Sequence, residues 1–397
     1  MYTIHSKIIS PLWGIAILCL SAVFSCTETE TPEITTASDA FEQTFSSTVD
    51  LNNLENYANQ SIPNYITKDN TDTNQITDEG ATLGRVLFYD KNLSVDNTIA
   101  CASCHQQKFA FSDKLQASEG VAGFTGRHSM RLINSRFSDE GNFFWDERAS
   151  SLEEQTTMPI QDHIEMGFSG ADGDPSIDDM IDKLGGLEYY DDLFQLAYES
   201  TEISEEKLQQ ALAQFIRSIQ SFDSKYDIGR AQATNDNSNF PNFTTEENQG
   251  KSLFMTPPNF NQNGVRIGGG AGCGGCHRAP EFDIDPQSRN NGVTATIDGG
   301  TDTSITRAPT LRDMVNPDGS LNGDLMHTGT FTSLAEVIGH YDHITTNNTN
   351  LDRRLNPRGG LQQLALSQQE VLQLEAFLLT LTGSDVYVNE KWSSPFE

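Results

Sequence analysis

Four cysteines of this 397-residue chain stand in two pentapeptides of one pattern, Cys101-Ala-Ser-Cys104-His105 and Cys273-Gly-Gly-Cys276-His277. Thiols three residues apart on one turn face the same way, so both can form thioethers with a single porphyrin. The adjacent imidazole then reaches the iron as its axial ligand. Each box therefore reads as an attachment site for one covalent haem c. A zinc centre would want four ligands gathered in a compact unit. A redox CxxC has no need of a histidine directly after it in both copies. Cys19 and Cys26 are the only other cysteines, which leaves none for a disulfide framework.

Haem c is attached outside the cytoplasm, and the N-terminus agrees with export. Lys7 is followed by a short apolar run, Pro11 to Phe24, too short to anchor in a bilayer, and then by Ser25 and Cys26. Residues 1–25 are expected to be a signal peptide, with Cys26 the lipidated first residue of a periplasmic, membrane-anchored lipoprotein. Residues 26–75 open on a Thr-, Glu- and Ser-rich stretch that predicts a flexible tether.

The charge balance narrows the partners. Asp and Glu number 56 against 25 Lys and Arg, a net charge of −31, which excludes the basic face that nucleic acid requires. Outside the N-terminal run no span approaches membrane-crossing length, so the membrane enters only through the lipid anchor.

The elements that position the boxes are helical. Leu83, Leu87 and Phe88 follow Thr77 at helical spacing ahead of the first box. Thr244 and Glu247 form a capping box ahead of Leu253 and Phe254 and the second box. Residues 204–222 carry one apolar stripe (Leu208, Leu212, Phe215, Ile216, Ile219), and 367–382 a last helix capped by Ser367 and Glu370. Strand signals are sparse. The expected fold is mainly α, two cytochrome-c-like haem domains in tandem with long irregular loops: 76–235 and 244–384, joined by a polar linker at 231–243 and followed by a tail, 385–397.

The stretches LGRVLFYDKNLSVDNTIACASCH, FFWDERASSLEEQTTMPIQDHIEMG, CGGCH, TRAPTLRD and MHTGTFTSLAEVIGHY occur in that order. Together they resemble the bacterial dihaem cytochrome c peroxidase family, which includes MauG, over roughly 76–384. The resemblance implies reduction of hydrogen peroxide at the N-terminal haem. Electrons would come from a small redox protein, a cytochrome c or cupredoxin, through the C-terminal haem. It also implies that a homodimer is possible. By position, Glu165 matches the distal acid/base, with Gln155 and Pro159 lining its pocket, and Trp145 matches the residue between the haems. Arg127, Arg307 and His327 match residues that contact the haems. A carboxylate in a dry pocket suits peroxide chemistry, because burial raises its proton affinity toward the working range.

Three positions depart from the family pattern. Gly120 stands where some members place a second histidine on the peroxidatic iron, which predicts an open sixth position. His128 stands where an Asn often helps to bind an interdomain calcium ion. Imidazole suits that hard cation poorly, so calcium is doubtful, with Asn322 and Asp324 the remaining oxygen donors. Tyr341 stands where typical peroxidases have the Met that ligates the second iron, as in MauG-like members, with His340, His343 and Met326 as rivals. Glu147 replaces a frequent Gly. The residues thus favour a peroxidase, against a MauG-like oxidase of a protein side chain or a non-catalytic dihaem electron carrier.

Overall fold

The computed structural model describes residues 37–45, 47–304 and 307–396; the signal peptide and Cys26 lie outside them. Helices dominate, and among the described residues the strands are four, all short. The helices in chain order are α1 (Asp39–Phe45), α2 (Asp78–Tyr89), α3 (Cys101–Cys104), α4 (Leu152–Thr157), α5 (Ile177–Gly185), α6 (Tyr189–Tyr198), α7 (Glu205–Ser218), α8 (Lys225–Ala231), α9 (Thr245–Met255), α10 (Leu334–Asp342) and α11 (Gln368–Leu379). Two antiparallel pairs, β1 (Pro258–Phe260) with β2 (Arg266–Gly269) and β3 (His277–Arg278) with β4 (Asp283–Ile284), flank the second box. No described helix is long and apolar enough to cross a membrane.

Each box lies beside a crossing of two helices. The first half packs α2 on α7, and the second packs α9 on α11. Thr77 caps α2 by accepting from the Gly80 N–H, Thr244 and Glu247 close the predicted capping box on α9, and Ser367 and Glu370 close the one on α11. Leu83, Leu87 and Phe88 of α2 and Leu208, Leu212 and Phe215 of α7 are all fully buried in the first core. Full burial of such a side chain contributes about 1.5–3 kcal/mol. Both crossings are closed by a glycine. A Cβ on Gly84 would stand 2.0 Å from the Ala211 carbonyl oxygen of α7, and one on Gly250 would stand 1.8 Å from the Gln373 carbonyl oxygen of α11.

The boundaries fall elsewhere than the sequence suggests. Residues 231–243 are not a linker: Phe240 and Phe243 are buried in the second core with Tyr226. Along this stretch the first core reaches Ile219 and the second begins at Tyr226. From Ala37 onward the tether is structured. Phe41, Phe45 and Tyr57 are buried in the first core, and Asp78 accepts from the Tyr57 and Ala58 N–H groups at 2.7 and 2.8 Å. The tail also folds back. Trp392 is buried in the first core, its carbonyl accepts from the Tyr89 hydroxyl at 2.6 Å, and Arg85 of α2 donates to the Ser393 and Glu390 carbonyls. These segments look polar because their few apolar residues find distant partners, which local composition does not reveal.

Candidate active site

α3 ends at Cys104, and the chain then turns so that the His105 Nδ1–H donates to the Phe111 carbonyl at 3.1 Å. With Nδ1 committed to that carbonyl, Nε2 is the nitrogen left to bind a metal, as a carbonyl partner arranges for many ligating histidines. Phe111 holds its carbonyl there with φ of 57°, and Phe282, after the second box, has φ of 58°. Positive φ is a genuine outlier for a bulky residue and marks a functional constraint. Burial pushes the His277 imidazole down to about 4, against the Phe282 carbonyl, so it too is neutral. The thiols of all four box cysteines are free. Two thiols and one neutral imidazole in each box, beside a large cavity, fit a covalent haem c at each.

Two adjoining cavities, of about 600 and 1210 Å³, share Cys104, His105, Thr125, Leu132, Gln155, Pro159 and Glu165 as walls. The residues matched to the peroxide site thus converge beside the first box. α4, started by Ser151 accepting from the Glu154 N–H, carries Gln155, whose side-chain amide has no hydrogen-bond partner among the described residues. Burial, with the Asp162 charge nearby, pushes the Glu165 carboxyl up to about 7, and Arg148 partly offsets this. Asp162 accepts from the Ile164 and Glu165 N–H groups at 2.8 and 3.0 Å, which fixes the turn bearing Glu165. A third cavity, of about 650 Å³, runs from Glu165 and Pro159 to the exposed Arg148 and Asp162.

The Gly120 loop is bonded to the same turn. Val121 N–H donates to the Glu165 carbonyl at 3.1 Å, and Ala122 N–H donates to the Ile164 carbonyl at 3.2 Å. A Cβ at Gly120 would fall 2.1 Å from the Ile164 oxygen. In this arrangement position 120 has no room for any side chain, histidine included.

Trp145 lines both the larger first cavity and the apolar cavity of about 1050 Å³ beside the second box. Its indole N–H donates to the His128 carbonyl at 2.7 Å, its carbonyl accepts from Arg307 N–H at 2.7 Å, and its ring centroid lies 6.1 Å from that of His327. His327 is buried but lines neither cavity. Arg307 lines both and lies over Phe143. Arg127 is already held by two carboxylates, Asp146 at 2.8 Å and Asp302 at 2.5 Å.

In the second half Tyr341, on α10, lines both cavities that touch Cys273 and His277. Burial pushes its phenol well above the usual range, with the Cys276 thiol next in effect and Asn291 opposing through a hydrogen bond. The rivals separate by position. His340 donates from Nε2 to the Asn291 carbonyl at 2.8 Å, and His343 is exposed. Met326 does line the cavity, its sulfur accepting from the Asn291 amide at 3.5 Å. For calcium, Asn322 is committed: its amide donates to the Asp313 carbonyl and the Tyr387 hydroxyl, and its oxygen accepts from Asn316. Asp324 lines the second cavity, and the His128 Nδ1–H donates to the Leu115 carbonyl. Burial, and then the Glu140 charge, push Glu147 up to about 7.

Sequence reasoning missed Arg131, Arg148, Asp162 and Asn291. None sits in a recognisable motif role; the fold alone brings them to the cavities.

Residues 78–235 match the family described as di-haem cytochrome c peroxidase. The chain is 29% identical to the methylamine utilization protein MauG of Methylophilus methylotrophus over 330 residues, 78% of this chain and 84% of that protein. It is 26% identical to the cytochrome c551 peroxidase of Nitrosomonas europaea over 320 residues, 76% and 80% of the two chains. The crystal structure of a MauG-like protein associated with microbial copper homeostasis superposes with a TM-score of 0.63 at 27% identity, covering 85% of this chain and 99% of that one. With two CxxCH boxes, each beside a cavity, and the family's pattern over residues 78–235, the chain resembles the di-haem cytochrome c peroxidases and MauG.

Proposed function

We propose that this protein reduces hydrogen peroxide to water at its N-terminal site, with electrons from a small redox protein entering through the C-terminal site. The observation that carries the reading is Glu165: a carboxyl with raised proton affinity in the cavity that also holds Gln155 and the first box. Cys101, Cys104 and His105 would hold one haem, and Cys273, Cys276 and His277 the other, with Tyr341, on the same cavities, as a further oxygen ligand. Haems bound there would pass on the donor's two electrons that cleavage of the O–O bond consumes. Glu165, as carboxylate, takes the proton from one peroxide oxygen and returns it to the other, so that the departing oxygen leaves as water. The Gln155 amide donates a hydrogen bond that orients the peroxide. Because Glu165 only relocates a proton the peroxide already carries, two protons enter from solvent with the two electrons, balancing peroxide, two electrons and two protons against two waters. Trp145, walling both cavities, is the relay between them. Export through residues 1–25, lipidation at Cys26 and one haem domain on each side of the 219–226 junction complete the proposal.

A second reading, oxidation of a protein side chain in the manner of MauG, is favoured by Tyr341. A phenolate is a hard anionic donor that stabilises oxidised iron. Peroxide turnover with reduced cytochrome c, compared between wild type and Glu165→Gln, tests the first reading. Turnover that is fast and unaffected by the substitution removes Glu165 from the mechanism. No turnover with any reduced donor leaves the second.

A further inference from the structure

The wall between the first-box and second-box cavities is short. The segment from His128 to Arg131, with Trp145 and Arg307, lines both. Two arginines, Arg131 and Arg307, lie at this wall with Arg127 beside it, and their partners differ. Arg127 is neutralised by Asp146 and Asp302. Arg307 has Asp283 at 4.0 Å and the face of Phe143. Arg131 has no carboxylate within ion-pair distance among the described residues. Its only hydrogen bond runs from Nη2 to the Thr310 carbonyl at 3.1 Å, and its buried Nε has no partner.

A guanidinium always carries its charge at working pH and offers five donors in a rigid fork. To leave such a group at the edge of the apolar second-box cavity with one carbonyl for company is costly unless an anion completes it. Burial even lowers its proton affinity, to about 10, with Tyr387 and Asp313 acting only through space. The anion must belong to whatever fills the cavities. A haem c is tethered at its vinyl-derived edge by the two thioethers, and its remaining anionic groups are two propionates.

We propose that Arg131 is the counter-ion of a haem propionate at the wall between the two cavities, and that it sets the reduction potential of the haem it holds. The inference rests on the two-haem reading above. The physics fixes the sign. Ferric haem carries one more positive charge than ferrous haem, so a fixed cation at its propionate disfavours the ferric state and raises the potential. Removing the cation lowers it. Because the wall is shared, the same residue tunes the driving force for an electron passing from one site to the other.

The test uses the haem-loaded protein. Haem content per chain is first measured by pyridine haemochrome, and both midpoints are then read by optical spectroelectrochemistry. Arg131→Gln is expected to shift at least one midpoint downward. Arg131→Lys should recover most of that shift, because it keeps the charge. Arg136→Gln, a control whose partner is the exposed Asp69, should leave both midpoints in place. A merely structural arginine would change stability without moving either potential, so two unmoved midpoints in a protein with two haems overturn the proposal. A wild-type protein with fewer than two haems overturns the two-haem reading instead. If Arg131→Gln does not fold, Arg131→Lys still decides: it loses the fork, so the propionate bending band in its resonance Raman spectrum should shift, and an unshifted band sinks the assignment.

Discussion

The Val121 N–H donates to the Glu165 carbonyl over 3.1 Å, joining the Gly120 loop to the turn that carries the acid. A loop paired in this way cannot bring a side chain from position 120 into the cavity without first releasing that turn. Gly120→Ala already places a Cβ 2.1 Å from the Ile164 oxygen. The expected cost is about 1–3 kcal/mol, the range for overpacking a filled site, read as a lower Tm of the purified protein. A Tm equal to wild type would show that the loop moves freely. For the haem-loaded wild type, a high-spin first haem in the fully oxidised EPR spectrum is expected.

Glu165 predicts a pH profile. Its carboxyl is raised from 4.5 to about 7 by burial and Asp162, and the base form must accept the first proton. Peroxide kcat/KM should therefore rise as pH passes through about 7 and then level off. Glu165→Gln should flatten that limb and lower the rate by about 10²–10⁴-fold, the usual contribution of a general acid–base group. For stability the sign is opposite. A carboxyl whose folded value is raised favours folding below about 4.5, and this contribution is lost as pH rises through 7. Glu165→Gln should remove that part of the decline in Tm between pH 4.5 and 7.

Tyr341 lines both cavities beside the second box and is the oxygen ligand proposed above. Tyr341→Phe should change the optical and EPR spectrum of one haem only and raise its potential, since a hard anionic donor is lost. Met326, on the same cavity and also held by Asn291, is the side chain placed to replace it. An unchanged spectrum would clear Tyr341 of any ligand role.

Trp392 lines neither cavity and predicts an effect on stability alone. Trp392→Ala should cost about 3–5 kcal/mol, as for other large buried aromatics, and lower the Tm without altering the spectrum of either haem. A loss within experimental error would mean that the C-terminal segment is dispensable.

What the sequence reveals follows the range of the forces involved. Both boxes are local chemistry and were plain. The α2, α7, α9 and α11 helices were legible because caps and apolar stripes act within a few residues. Glu165, Gln155 and Trp145 needed the motif around them, since one acid among 56 carries no mark. The packing of residues 37–75, 231–243 and 385–396 is not legible locally, for one reason. Phe41, Tyr57, Phe240 and Trp392 are each single apolar residues in polar surroundings, and their burial depends on partners far away in the chain. Ser38, for example, donates to Asp192, 154 residues on. Arg131 escaped notice because its missing counter-ion shows only once the cavities are formed.

The folding back of residues 385–396 has a bearing on the order of assembly. Gln107, two positions after His105, donates to the Val386 and Asn389 carbonyls, while Arg85 and Tyr89 of α2 wait for residues 390–393. An early loop and helix thus depend on residues that leave the ribosome after both boxes. The segment acts as a clasp: the loop beside the first box gains these partners only after the second box has been made.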